Sequence, residues 1–86
     1  MYNYEENKKD IFTEDGLMMF LAIRDNVQKL LKEAGAVRME NAISCSNGNG
    51  WTKIACVDHL IKLGELREIV QDQKIRAQDR VFVSGK

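Results

Sequence analysis

Leu17, Phe20, Leu21, Ile23, Val27, Leu30, Leu31 and Ala34 recur mostly at spacings of three and four residues, the period of a helix with one buried stripe. Arg24, Asp25, Gln28, Lys29, Lys32 and Glu33 fall mostly on the other side. Thr13 is suited to cap the start, because its hydroxyl can accept a free backbone N–H of the first turn. Glu14 and Asp15 then stand where the helix dipole favours negative charge. Phe12 before the cap and Leu17 four positions after it match a hydrophobic staple. Gly35 supplies a left-handed stop. The pattern predicts a long first helix from Thr13 to Gly35.

Beyond Gly35 the periods shorten. Ala36-Val37-Arg38 reads as a very short extended piece, and Met39 to Cys45 as a short helix with Met39, Ala42 and Ile43 turned inward. Ser46-Asn47-Gly48-Asn49-Gly50 is the strongest breaker in the chain. From Trp51 to Leu63 a third helix is expected, with Ile54, Cys56, Val57, Leu60, Ile61 and Leu63 on its inner half. Thr52, Ala55, Asp58, His59 and Lys62 share the outer half. Asn-Gly also favours tight hairpins, but strands here would group Lys53, Ala55 and Val57 on one face, a poor core. Gly64 ends the helix. Glu65 to Val70 and Arg80 to Val83 read as strands joined by the polar stretch Gln71 to Asp79, an antiparallel hairpin. The fold class is therefore mainly α with a small antiparallel β-hairpin, α+β. Residues 1–10 are polar apart from two tyrosines, so residues 1–12 are expected to form a flexible acidic arm and 13–86 the domain.

The passage Val57-Asp58-His59-Leu60-Ile61-Lys62-Leu63-Gly64-Glu65-Leu66-Arg67-Glu68-Ile69, with Arg80-Val81-Phe82-Val83 after it, resembles the winged-helix domain, a helix-turn-helix variant ending in a β-hairpin. The likeness covers Thr13 to Val83 and is one of element order. It implies a three-helix core plus wing, with the third helix (51–63) as the DNA-recognition helix and residues 66–83 as the wing. It implies a small transcriptional regulator.

Composition narrows the alternatives. With 86 residues and 9.8 kDa there is little room for both a deep catalytic cleft and its scaffold. The longest apolar run, Leu17 to Ile23, falls short of the roughly 20 residues that a bilayer requires. The N-terminus lacks the basic start and apolar stretch of a signal peptide. A cytoplasmic protein with two reduced thiols, Cys45 and Cys56, is expected. Thirteen basic and thirteen acidic residues balance, but unevenly. Residues 1–15 hold two lysines against five acids, a charge of −3, which leaves +3 for residues 16–86.

Phosphate contact requires cationic, hydroxyl or amide groups, and base reading requires Arg, Lys, Asn or Gln on an open face. On that chemistry the candidate DNA contacts are Asn47 and Asn49 before the third helix, Thr52, Lys53, His59 and Lys62 on it, and Lys74, Arg76 and Arg80 in the wing. A few phosphate contacts make a monomer a weak, salt-sensitive binder, and a homodimer through the first helix or the Tyr2/Tyr4 arm would ease that. Asp58 is the wrong charge for the face it shares. The rival expectation is a protein-interaction module without nucleic acid, with Trp51 as its partner contact. Cys45, Cys56 and His59 supply at most three ligands where a structural zinc takes four. No phosphate-cradling loop or nucleophile–base pair is recognisable, so neither cofactor, metal nor catalysis is expected.

Overall fold

The computed structural model describes residues 2–46, 48–69 and 79–85. Its elements follow the order α1 (Tyr4–Asn7), a 3-10 segment (Lys8–Phe12), α2 (Glu14–Ala34), β1 (Val37–Arg38), α3 (Met39–Ala42), α4 (Gly50–Lys62), β2 (Leu66–Glu68) and β3 (Val81–Ser84). The class is α+β, mostly helical with one small sheet.

Helix α2 begins and ends where its caps dictate. The Thr13 hydroxyl accepts the Gly16 N–H at 3.0 Å, and Gly35 closes the helix in the left-handed region, its N–H bonded to the Leu31 carbonyl. The expected stripe is narrower than its apolar residues suggested. Phe20, Ile23 and Val27 are buried, whereas Leu17, Leu21 and Ala34 face solvent. A single row of core contacts covers about a third of a helix, and Leu17 and Leu21 lie to one side of it. Ala34 is in line with it but is the last residue of the helix.

The hairpin becomes a three-stranded antiparallel sheet in the order β1-β3-β2. Val37 lies opposite Phe82 on one side of β3 and Glu68 opposite Phe82 on the other. Phe82 is consequently fully buried at the centre of the sheet. The bulk of the tip between β2 and β3, including Lys74 and Arg76, lies outside the described residues, as does Asn47. Asn26 of α2 donates to the carbonyls of Asn41 and Ala42 at 3.0 Å each, fixing α3 across the helix pair.

The largest departure from expectation is at the N-terminal end. In place of a loose arm, residues 2–12 form a helical strap laid over α4. Asn3 caps α1 by accepting from the Glu5 and Glu6 N–H groups. Ile11 is fully buried among the core residues. At Gly16 the strap meets α2 so closely that a Cβ would collide with the Asp10 carbonyl. One buried isoleucine contributes roughly 2–3 kcal/mol, enough to hold a short polar segment that composition alone assigns to solvent.

Candidate functional site

The sequence placed function on the outer half of α4, and that half is largely enclosed. Asn49 caps the helix: its side-chain oxygen accepts the N–H groups of Trp51 and Thr52 at 2.8 and 3.4 Å. Thr52 is 6% exposed and Ala55 fully buried, although both were expected to face outward. Conversely Ile54 and Ile61 are only half-buried, and Leu63, expected inside, is 54% exposed. The reason is that α4 is packed on two sides. Cys56, Val57 and Leu60 are buried in the core, and Asp58 and His59 bond Tyr2 and Tyr4 of the strap. Its small residues, Thr52, Ala55 and Cys56, allow that close approach.

The polar groups of the outer half are consumed internally. The Tyr2 hydroxyl donates to Asp58 Oδ2 at 2.5 Å. Asp58 Oδ1 accepts Arg80 Nη2 at 2.9 Å, and the same guanidinium binds Glu68 through Nη2 at 2.9 Å and Nε at 3.1 Å. Arg80 also lies over the Phe82 ring, 5.2 Å from its centroid. Burial works against its charge, but the bonds it donates to Glu68 and Asp58 outweigh that and raise its pKa. Asp58 is thus the acceptor that ties the strap, α4 and the sheet together.

His59 has a similar enclosure. Its Nδ1 shares a hydrogen bond with the Tyr4 hydroxyl at 2.9 Å. Phe12 and Phe20 approach its ring edge-on, with centroids 5.7 and 5.2 Å away. Lys53 Nζ donates to the Ser46 carbonyl at 3.2 Å, and Lys62 Nζ stands 5.8 Å above the Tyr4 ring. Of the candidate DNA contacts, Lys62 is the one on α4 that keeps an exposed charge, while Thr52, His59 and Arg80 act within the fold. Asn49 is exposed but occupied as a cap.

An open apolar surface lies beside this enclosed face, and sequence reasoning did not single it out as a whole. Phe12 is 61% exposed, Met18 66% and Leu21 53%, with Leu17 also exposed. Leu63 lies one turn beyond His59, whose ring touches both Phe12 and Phe20. Glu14 and Asp25 stand one turn before Met18 and one turn after Leu21, giving the surface acidic flanks. Trp51, 45% exposed, stands in the first turn of α4. The signal that could have exposed this patch is the width of the α2 stripe, broader than one packing face can cover.

Cys45 is exposed and Cys56 buried, both as free thiols. Among the described residues no group of three His, Cys, Asp or Glu side chains is placed to hold a metal ion, and no helix is long and apolar enough to cross a membrane. Comparison with family models, with curated proteins and with solved structures gives no match.

Proposed function

We propose that the chain is a winged-helix-type protein-interaction domain whose contact surface is the outward side of the first half of α2 with Phe12 and Leu63. The sequence of elements from α2 to β3, and the strand order β1-β3-β2, support the winged-helix reading. The observation that carries the interaction reading is the pairing of a closed α4 with an open neighbour. Tyr2, Tyr4 and Ile11 cover the helix face that would read DNA, while Phe12, Met18 and Leu21 remain exposed. Isolated surface hydrophobics are ordinary, but a contiguous group with charged borders marks an interaction site. The acidic flank of Glu14, Asp15 and Asp25 suits an amphipathic partner segment bearing apolar side chains between lysines or arginines. No catalytic role is proposed.

The test is an amide-shift titration of the full chain with a synthetic Leu/Lys amphipathic helix, alongside a duplex oligonucleotide at low salt. Shifts at Met18 and Leu21, abolished by Met18→Lys with Leu21→Lys, support the interaction reading. Absence of any change on α2 defeats it.

The second reading, duplex DNA binding in transcriptional regulation, is favoured by the +3 charge of residues 16–86 and by exposed Lys62. It requires the strap to leave α4, or Lys62 and the residues beyond β2 to suffice. Duplex-induced shifts at Thr52, His59 and Lys62 would establish it over the first. Unmoved amides there remove it.

A further inference from the structure

A recess opens between the later half of α2, the end of α4 and the edge of the sheet. Its volume is about 340 Å³, at the small end of pockets that hold organic ligands. Val27 and Leu31 of α2, Leu60 of α4 and Leu66 of β2 form an aliphatic floor. Polar side chains are confined to the rim: Arg24, Gln28 and Lys32 along α2, facing Glu65 and Ser84.

The rim charges are unequally committed. Glu65 Oε1 accepts Arg24 Nε at 3.0 Å and Gln28 Nε2 at 3.4 Å, so the one acid already has two donors. A guanidinium carries five N–H donors, and Arg24 makes no other hydrogen bond among the described residues. The Lys32 ammonium makes none among them. Arg24 and Lys32 are two helical turns apart, about 12 Å along the axis, with Gln28 between them. Both side chains are long enough to meet over Gln28. One net positive charge above an aliphatic floor is complementary to a molecule with an apolar tail and an anionic head. An ammonium head would instead meet two cations, and an uncharged tail would leave their donors unused.

We propose that this recess binds a small amphiphilic carboxylate, its tail on Val27, Leu31, Leu60 and Leu66 and its carboxylate between the Arg24 Nη groups and Lys32. The site shares no residue with the apolar surface assigned to protein partners, so the two readings stand or fall separately. Its oxygen acceptors would be held by charge-assisted hydrogen bonds, the stronger class, with Gln28 left to its bond with Glu65. The expected affinity is weak, with a dissociation constant on the order of 0.1–1 mM, as suits a ligand of about ten heavy atoms in an open recess.

The probe is octanoate, titrated into the full chain while backbone amide shifts are followed. Saturable shifts at Gln28, Leu31, Leu66 and Ser84 are expected. Lys32→Gln, at an exposed position with no hydrogen bond or ion pair among the described residues, should weaken binding about fivefold and leave the remaining spectrum unchanged. Octan-1-ol, with the same tail, should bind at least about fivefold more weakly. The proposal is overturned if octanoate up to about 5 mM produces no saturable shifts at these residues. It is also overturned if octanol binds as tightly as octanoate, showing that the head group is irrelevant, or if octylamine binds more tightly, showing that Glu65 governs the rim.

Discussion

Tyr2 and Asp58 meet side chain to side chain across 56 positions of sequence, the phenol donating to a carboxylate whose other oxygen holds Arg80. Burial first, and the bond to Asp58 second, raise the Tyr2 pKa far above its ordinary value. Tyr4 moves the same way, chiefly through burial. In the unfolded chain a tyrosine ionises near pH 10. The stability these protonated hydroxyls contribute is therefore fully present below about pH 10 and is lost as pH rises beyond it, because the unfolded chain releases its protons first. Thermal melts across pH 7–11 should show a steep fall at the alkaline end, and Tyr2→Phe should flatten part of it. Tyrosinate absorbance from both tyrosines at pH 10, with the helical signal intact, would contradict this assignment.

Gly16→Ala tests how tightly the strap is seated. In an open helix the change is favourable by about 1 kcal/mol. Here the added methyl meets the Asp10 carbonyl and the Ile11 Cα, neither of which can give way without moving the strap. A net loss of roughly 2–3 kcal/mol is expected from such overpacking. Chemical denaturation measures it, and the sign alone is decisive.

Two arginines offer a contrast in environment. Arg80, with its side chain 21% exposed, serves Asp58 and Glu68 together. Arg80→Met leaves two acids facing each other and should destabilise the fold by roughly 2–4 kcal/mol, near the range for breaking a buried pair. Arg38 bonds Asp79 at 2.7 Å but its side chain is 51% exposed. Solvent screens that pair, so Arg38→Met should stay within about 1 kcal/mol of the parent. Equal effects on the two denaturation midpoints would refute the distinction.

The thiols should separate cleanly. Burial pushes the Cys56 thiol up to about 11, whereas Cys45 is exposed. At pH 8 an alkylating reagent should modify one thiol promptly and the second only on unfolding, and Cys45→Ser should remove the fast phase. Two fast modifications would mean that α4 is not shielded as described.

How much of this was legible beforehand depended on whether a single local rule sufficed. Thr13 and Gly35 mark the ends of α2 because a cap and a left-handed glycine act through neighbouring backbone groups alone. The strands near Leu66 and Val81 were likewise visible in their alternation. The rotation of α4 was not, because a periodicity argument assumes one buried side. Thr52 and Ala55 are buried all the same, and the strap that closes over α4 is anchored by Ile11, one apolar side chain within a run of polar ones. The outward reading of α4 rests on the same assumption. His59 and Asp58 are open groups only where residues 2–12 leave the helix uncovered, and here they bond Tyr4 and Tyr2. The recess beneath Arg24 could not be read from the chain, since Leu60 and Leu66 join α2 there only through tertiary packing.

The strap also sets an order of events during synthesis. Tyr2 and Tyr4 are made some 55 positions before the groups that receive them, and Asp58 must in turn wait for Arg80. Long-range contacts of this kind close late in folding. Until α4 is made, the strap has nothing to close on, so the earliest part of this fold to be translated is among the last to be locked.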